Sequence, residues 1–112
     1  MRILLIKPSP RLGTIRGLQA FQRLEPLELG YLAAAAPPGH DIRVLDLRLR
    51  WFPEASLRRT VRRFRPNLVG FTGYTHEVSA ICRLAHLTRL EYPAARVIVG
   101  GHHATVAPAD FD

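Results

Sequence analysis

The sequence predicts an α/β domain, a doubly wound parallel sheet of flavodoxin-like (Rossmann-like) strand order 2-1-3-4(-5), and three observations carry that expectation. Four short apolar runs alternate with segments of helical period, the pattern of a parallel sheet with right-handed crossovers. Three of the runs are nearly continuous in apolar character, as strands buried on both faces are. The length of 112 residues suits one domain and is too short for two.

The first strand is read over residues 2–6, the apolar run that Lys7 and Pro8 close. Residues 9–22 carry two glycines, polar side chains and no period, which makes them a long loop of the kind that is commonly functional. Leu27, Leu29, Tyr31, Leu32 and the alanines 33–36 read as a helix, ended by Pro37-Pro38-Gly39. Residues 42–45 form the second strand. Ser56 can N-cap the next helix, whose Leu57, Val61 and Phe64 share one face. The arginines 58, 59, 62, 63 and 65 then fall on its solvated outer face. Residues 68–72 form the third strand. Thr75 can cap a third helix, with Glu77 in its first turn complementing the dipole and Val78, Ile81, Ala85 and Thr88 facing inward. Residues 96–99 form the fourth strand, placed at an open edge. A fourth helix and a fifth strand would follow, so the expectation is one domain over 1–112 that is the N-terminal part of a longer protein, its fifth strand missing from this chain.

Composition narrows the class. A hydrophobic share of 47% and a charged share of 22% are those of an ordinary globular domain. Cys82 is the only cysteine, so no internal disulfide can form and a reducing, cytoplasmic setting is expected. The N-terminal apolar run is too short for a signal peptide, and no stretch approaches a membrane span. The net charge of +7 comes almost wholly from scattered arginines, Lys7 being the one lysine. Such basicity supplies non-specific attraction only, so neither a specific nucleic acid nor a membrane is expected as partner.

Ligands of open α/β sheets bind beyond the carboxyl ends of the strands, where strand order reverses. Three loops meet there in the predicted order. The first begins Lys7-Pro8-Ser9-Pro10. The second, Thr72-Gly73-Tyr74-Thr75-His76-Glu77, concentrates hydroxyl, phenol, imidazole and carboxylate groups. In the third, Gly100-Gly101-His102-His103-Ala104-Thr105, the paired glycines would let a bulky ligand approach the backbone, and a helix start would offer N–H groups to a phosphate. Taken singly, each feature has a local explanation: a tight turn for the glycines, exposed histidines, a packing tyrosine, a capping threonine. Their convergence on one edge supports a site for a large ligand with amide and phosphate groups.

The stretches 2–8, 25–34, 39–46, 66–72 and 99–105 together, in this order, resemble the cobalamin (vitamin B12)-binding domain at the N-terminus of cobalamin-dependent radical SAM enzymes. That resemblance implies a corrin across the strand ends and a nucleotide tail running beside the sheet. Ser9 and the loop from Thr72 to Glu77 would line the tail or lower corrin face. Gly100 and Gly101 would give the tail close passage, with His102, His103, Ala104 and Thr105 beside it. Two departures bear on the chemistry. The Asp-x-His-x-x-Gly motif that supplies a lower cobalt ligand in the methionine-synthase type is replaced by Lys7-Pro8-Ser9-Pro10-Arg11-Leu12, which leaves that ligand unknown and His103 a weak candidate. The Cys-x-x-x-Cys-x-x-Cys motif is absent, so S-adenosylmethionine and a 4Fe-4S cluster would belong to a separate or missing radical SAM domain, in cis or in trans. The resemblance therefore implies cobalamin binding in a methyltransferase-like enzyme, with no catalysis by this chain alone. A bulky residue at Gly101 is expected to block the ligand and leave the fold intact.

Other doubly wound proteins fit less well. A phosphoacceptor domain needs an aspartate where Phe71-Thr72-Gly73 stands, and a dinucleotide site needs glycines where Lys7-Pro8-Ser9-Pro10 stands. No spacing selects a hydrolase around Ser9 or Thr72 with His76 as base. The alternative that stays open is a Rossmann-like interaction module that has lost its cofactor.

Overall fold

The computed structural model describes residues 1–8, 27–73 and 77–111, with the backbone alone for 27, 28, 102 and 103. In chain order these form β1 (Arg2–Lys7), α1 (Leu27–Ala35), β2 (Asp41–Asp46), a 3-10 turn (Leu47–Leu49), α2 (Pro53–Phe64), β3 (Leu68–Thr72), α3 (Val78–Glu91), β4 (Arg96–Gly100), a short α4 (His102–Val106) and a closing 3-10 turn (Pro108–Phe111). The four strands make one parallel sheet of order β2-β1-β3-β4. This is the predicted doubly wound arrangement, with strand order reversing between β1 and β3. The predicted loop over 9–22 and the Thr75 cap lie outside the described residues.

The core sits between one face of the sheet and the helix pair α2 and α3. Leu4 and Ile6 of β1, Leu45 of β2, and Val69 and Phe71 of β3 meet Leu57, Val61 and Phe64 of α2 and Ile81 and Leu84 of α3, all buried. Burying a leucine or phenylalanine of this kind stabilises by roughly 1.5–3 kcal/mol each, so this layer is the main source of stability. The helices are tied to each other by Arg83 and Glu54 (2.8 Å) and by a pair between Arg62 and Glu91. On the other face Gly70 leaves room for Leu5, whose methyl would lie 3.1 Å from any added Cβ. There α1 buries Leu29, while Tyr31 and Leu32 are exposed.

Three expectations need correction. The second helix starts at Pro53, not at Ser56: proline's fixed φ and missing donor suit the first helical position. Ser56 is instead buried in the first turn, its N–H donating to the Phe52 carbonyl. On the third helix Ile81, Ala85 and Thr88 face inward as read, Ala85 half-buried against the core, together with Ala80 and Leu84, whereas Val78 is only partly buried. The fourth strand is not buried on both faces but alternates, with Val97 and Val99 toward the core and Arg96, Ile98 and Gly100 exposed. Among the described residues it pairs on one side only, with β3, as the open-edge placement anticipates. The Pro37-Pro38-Gly39 stop ends α1 as read, Gly39 taking φ +98°. The arginines of α2 do point outward. Among the described residues no helix is long and apolar enough to cross a membrane.

Candidate functional site

Strand register brings the carboxyl ends of β1, β3 and β4 to one edge, with Ile6 beside Phe71 and Thr72 beside Gly100. The loop after β3 touches the loop after β4. Gly101, at φ +102°, would set a Cβ 3.0 Å from the Thr72 hydroxyl oxygen and 3.1 Å from the Gly73 carbonyl oxygen. Gly73 is crowded in turn: a Cβ there would lie 2.8 Å from Ile81 and 3.1 Å from Glu77, so it lets the start of α3 close against the strand end. Thr72 is buried in this contact. The loops after β3 and β4 are therefore clasped through backbone glycines.

Gly100 differs from its neighbour. Among the described residues a Cβ at that position meets nothing within 4 Å, and the position pairs with Thr72 of β3 at the end of the edge strand. The two glycines thus divide the role expected of them. Gly100 leaves open backbone that a ligand can approach, and Gly101 holds the turn. A bulky side chain at Gly101 would disturb the loop contact itself, which overturns the expectation that such a change spares the fold. Even Gly101→Ala should cost about 1–3 kcal/mol, since it combines a left-handed φ with a 3.0 Å approach. Urea unfolding checks this, and a loss under about 0.5 kcal/mol would mean the clasp is loose.

The first loop contributes a group whose burial was not anticipated. Lys7 ends β1 with its side chain 6% exposed, and its Nζ lies 3.4 Å from Oε1 of Glu77, which is 3% exposed. Glu77 stands at the N-cap of α3 without capping it, so its carboxylate serves the lysine rather than the helix end. The signal available in the sequence was slender: Lys7 is the one lysine in a chain of arginines, at the end of the first strand.

Of the other predicted site residues, Ser9, Tyr74, Thr75 and His76 lie outside the described residues. His102 and His103 begin α4, described by backbone only. Ala104 is half-buried, and the exposed Thr105 donates its hydroxyl proton to the Gly101 carbonyl (3.0 Å). At five residues α4 is too short to act as a strong dipole toward a phosphate. Among the described residues no group of three or more histidine, cysteine or carboxylate side chains could hold a metal ion.

A parallel sheet of this order, whose loops after β3 and β4 pack together through glycines at the carboxyl edge, has the architecture of a doubly wound α/β domain. Residues 13–111 match the B12 binding domain family, and the chain belongs to that family. It is also similar to an uncharacterized methyltransferase of Pyrococcus horikoshii, with 27% identity over 108 residues. That match takes in 96% of this chain and 23% of the relative, so the chain spans about a quarter of the relative's length.

Proposed function

We propose that this chain binds cobalamin as the N-terminal cofactor-binding domain of a radical SAM enzyme, most simply one that transfers a methyl group. The observation that carries the reading is the contrast at Gly100 and Gly101: open backbone on β4, beside a clasp that fixes the loops around it. Membership of the B12-binding family and the methyltransferase name of the relative support it. Cobalamin, when bound, supplies a cobalt centre that can carry a methyl group or an electron.

The chain's own residues bind and orient. Gly100 gives the tail passage along the backbone, with Thr72 and Gly73 fixing the floor beside it. Ser9, Tyr74, Thr75, His76 and Glu77 complete the wall in this reading, and His102 to Thr105 flank the tail. Lys7 and Glu77 hold the β1 and α3 ends together beneath it. The lone Cys82 cannot ligate an iron–sulfur cluster by itself, so S-adenosylmethionine and the cluster would sit in another domain.

Incubating the purified protein with hydroxocobalamin, followed by gel filtration, tests the reading. A corrinoid spectrum co-eluting near one per chain is the expected result, and its band positions report whether a protein nitrogen lies below cobalt. A folded chain that elutes colourless would instead support an interaction module without cofactor.

A further inference from the structure

We propose that the groove at the start of α2 is a docking surface for an acidic segment of a partner protein, one that sets carboxylates around an apolar side chain. The proposal does not rest on cobalamin binding. Trp51 and Phe52 are consecutive, lead directly into α2, and are 75% and 78% exposed; Leu49 just before them is 61% exposed. Together they line or adjoin an open groove of about 740 Å³ whose other walls include Arg58, Arg59 and Arg83. Large aromatic side chains rimmed by arginine are the composition of interface hot spots.

Two features argue that this surface is kept for a partner. Phe52 occupies the N-cap of α2 and makes no side-chain cap bond. A serine or aspartate there would be worth about 1 kcal/mol to the helix. The sequence instead exposes an aromatic ring beside Trp51. The second feature is charge. Arg83 is neutralised by Glu54 and Arg62 by Glu91, whereas Arg58 and Arg59 have no carboxylate partner among the described residues. Carboxylates brought by a partner would complete the set. The exposed apolar side chains of Leu49 and Phe52 beside these arginines favour a protein segment, which brings apolar side chains together with its carboxylates, over a nucleic acid.

Trp51 is the only tryptophan, so its emission reads the groove directly. The chain is titrated with a short synthetic peptide that flanks leucine and phenylalanine with glutamates, and with a counterpart carrying lysines. The expected result is a saturable blue shift with the acidic peptide alone. Arg58→Glu with Arg59→Glu should weaken it at least about tenfold. Phe52→Ser should also weaken it while leaving the melting temperature equal or higher, which separates lost docking from lost folding. No saturable shift up to about 1 mM peptide, an unchanged Kd in the charge-reversed variant, or tighter binding of a single-stranded oligothymidylate would each overturn the proposal.

Discussion

Lys7→Met should destabilise the domain by about 3–5 kcal/mol, because it takes the cation away from a buried carboxylate. The side chains of Lys7 and Glu77 are 6% and 3% exposed, and their nearest atoms are 3.4 Å apart. That separation is long for an ion pair, so the attraction itself is modest. The cost arises from what is left behind: the Glu77 carboxylate, closed in by Gly73 and the first turn of α3, loses its cation and has little access to water. Both groups take part in further interactions as well, so the pair is embedded in a wider set of contacts. The companion Lys7→Met/Glu77→Gln removes both charges and should recover at least half of the loss, a coupling that double-mutant analysis measures. Urea unfolding of the four proteins, with a common slope, decides it. A single-variant loss below about 1 kcal/mol would show that water reaches Glu77.

Much of the sheet is legible in the sequence, for a physical reason. Strands buried in a parallel sheet must be apolar over several consecutive residues, and Leu4, Leu5 and Ile6 or Val69, Gly70 and Phe71 leave little else for those segments to do. Where competing local signals existed, the reading slipped. Ser56 is a good cap by type, but Pro53 three residues earlier is a better helix start, and position then places Ser56 in the buried first turn. At β4 the composition resembles that of a central strand. Its exposure follows from which neighbours it has, and the side chains Arg96, Ile98 and Gly100 do not announce that by themselves.

The site was readable by loop and not by atom. Strand order alone brings the loops after β1, β3 and β4 to one edge, so Thr72, Gly73, Gly100 and Gly101 could be placed together from topology. What each does there depends on backbone angles and approaches of a few tenths of an ångström. Nothing in the dipeptide Gly100-Gly101 distinguishes the residue at φ +102° from the one whose missing side chain borders open space. Burial of Lys7 has the same character, because it depends on Glu77 arriving from a helix seventy residues along the chain.

That division of labour makes Gly100→Phe the decisive substitution for the proposed ligand. Among the described residues a Cβ at position 100 meets nothing within 4 Å, and no left-handed φ is required of it, so the fold should tolerate the change to within about 0.5 kcal/mol. The ring would occupy the space beside Thr72 that a corrinoid tail needs, and retention of hydroxocobalamin should fall at least about a hundredfold, roughly 2.7 kcal/mol of binding free energy. Gly100→Ala, filling less of that space, should lose less. Equilibrium dialysis gives the affinities, and circular dichroism with a urea midpoint shows that each variant is folded. Gly101→Phe cannot serve the same purpose, since its side chain would be driven against Thr72 and Gly73 and would confound folding with binding. If the folded Gly100→Phe protein retains corrinoid as the parent chain does, the tail does not pass this strand end. The ligand would then have to lie on another part of the edge, and the open backbone at Gly100 would have a different use.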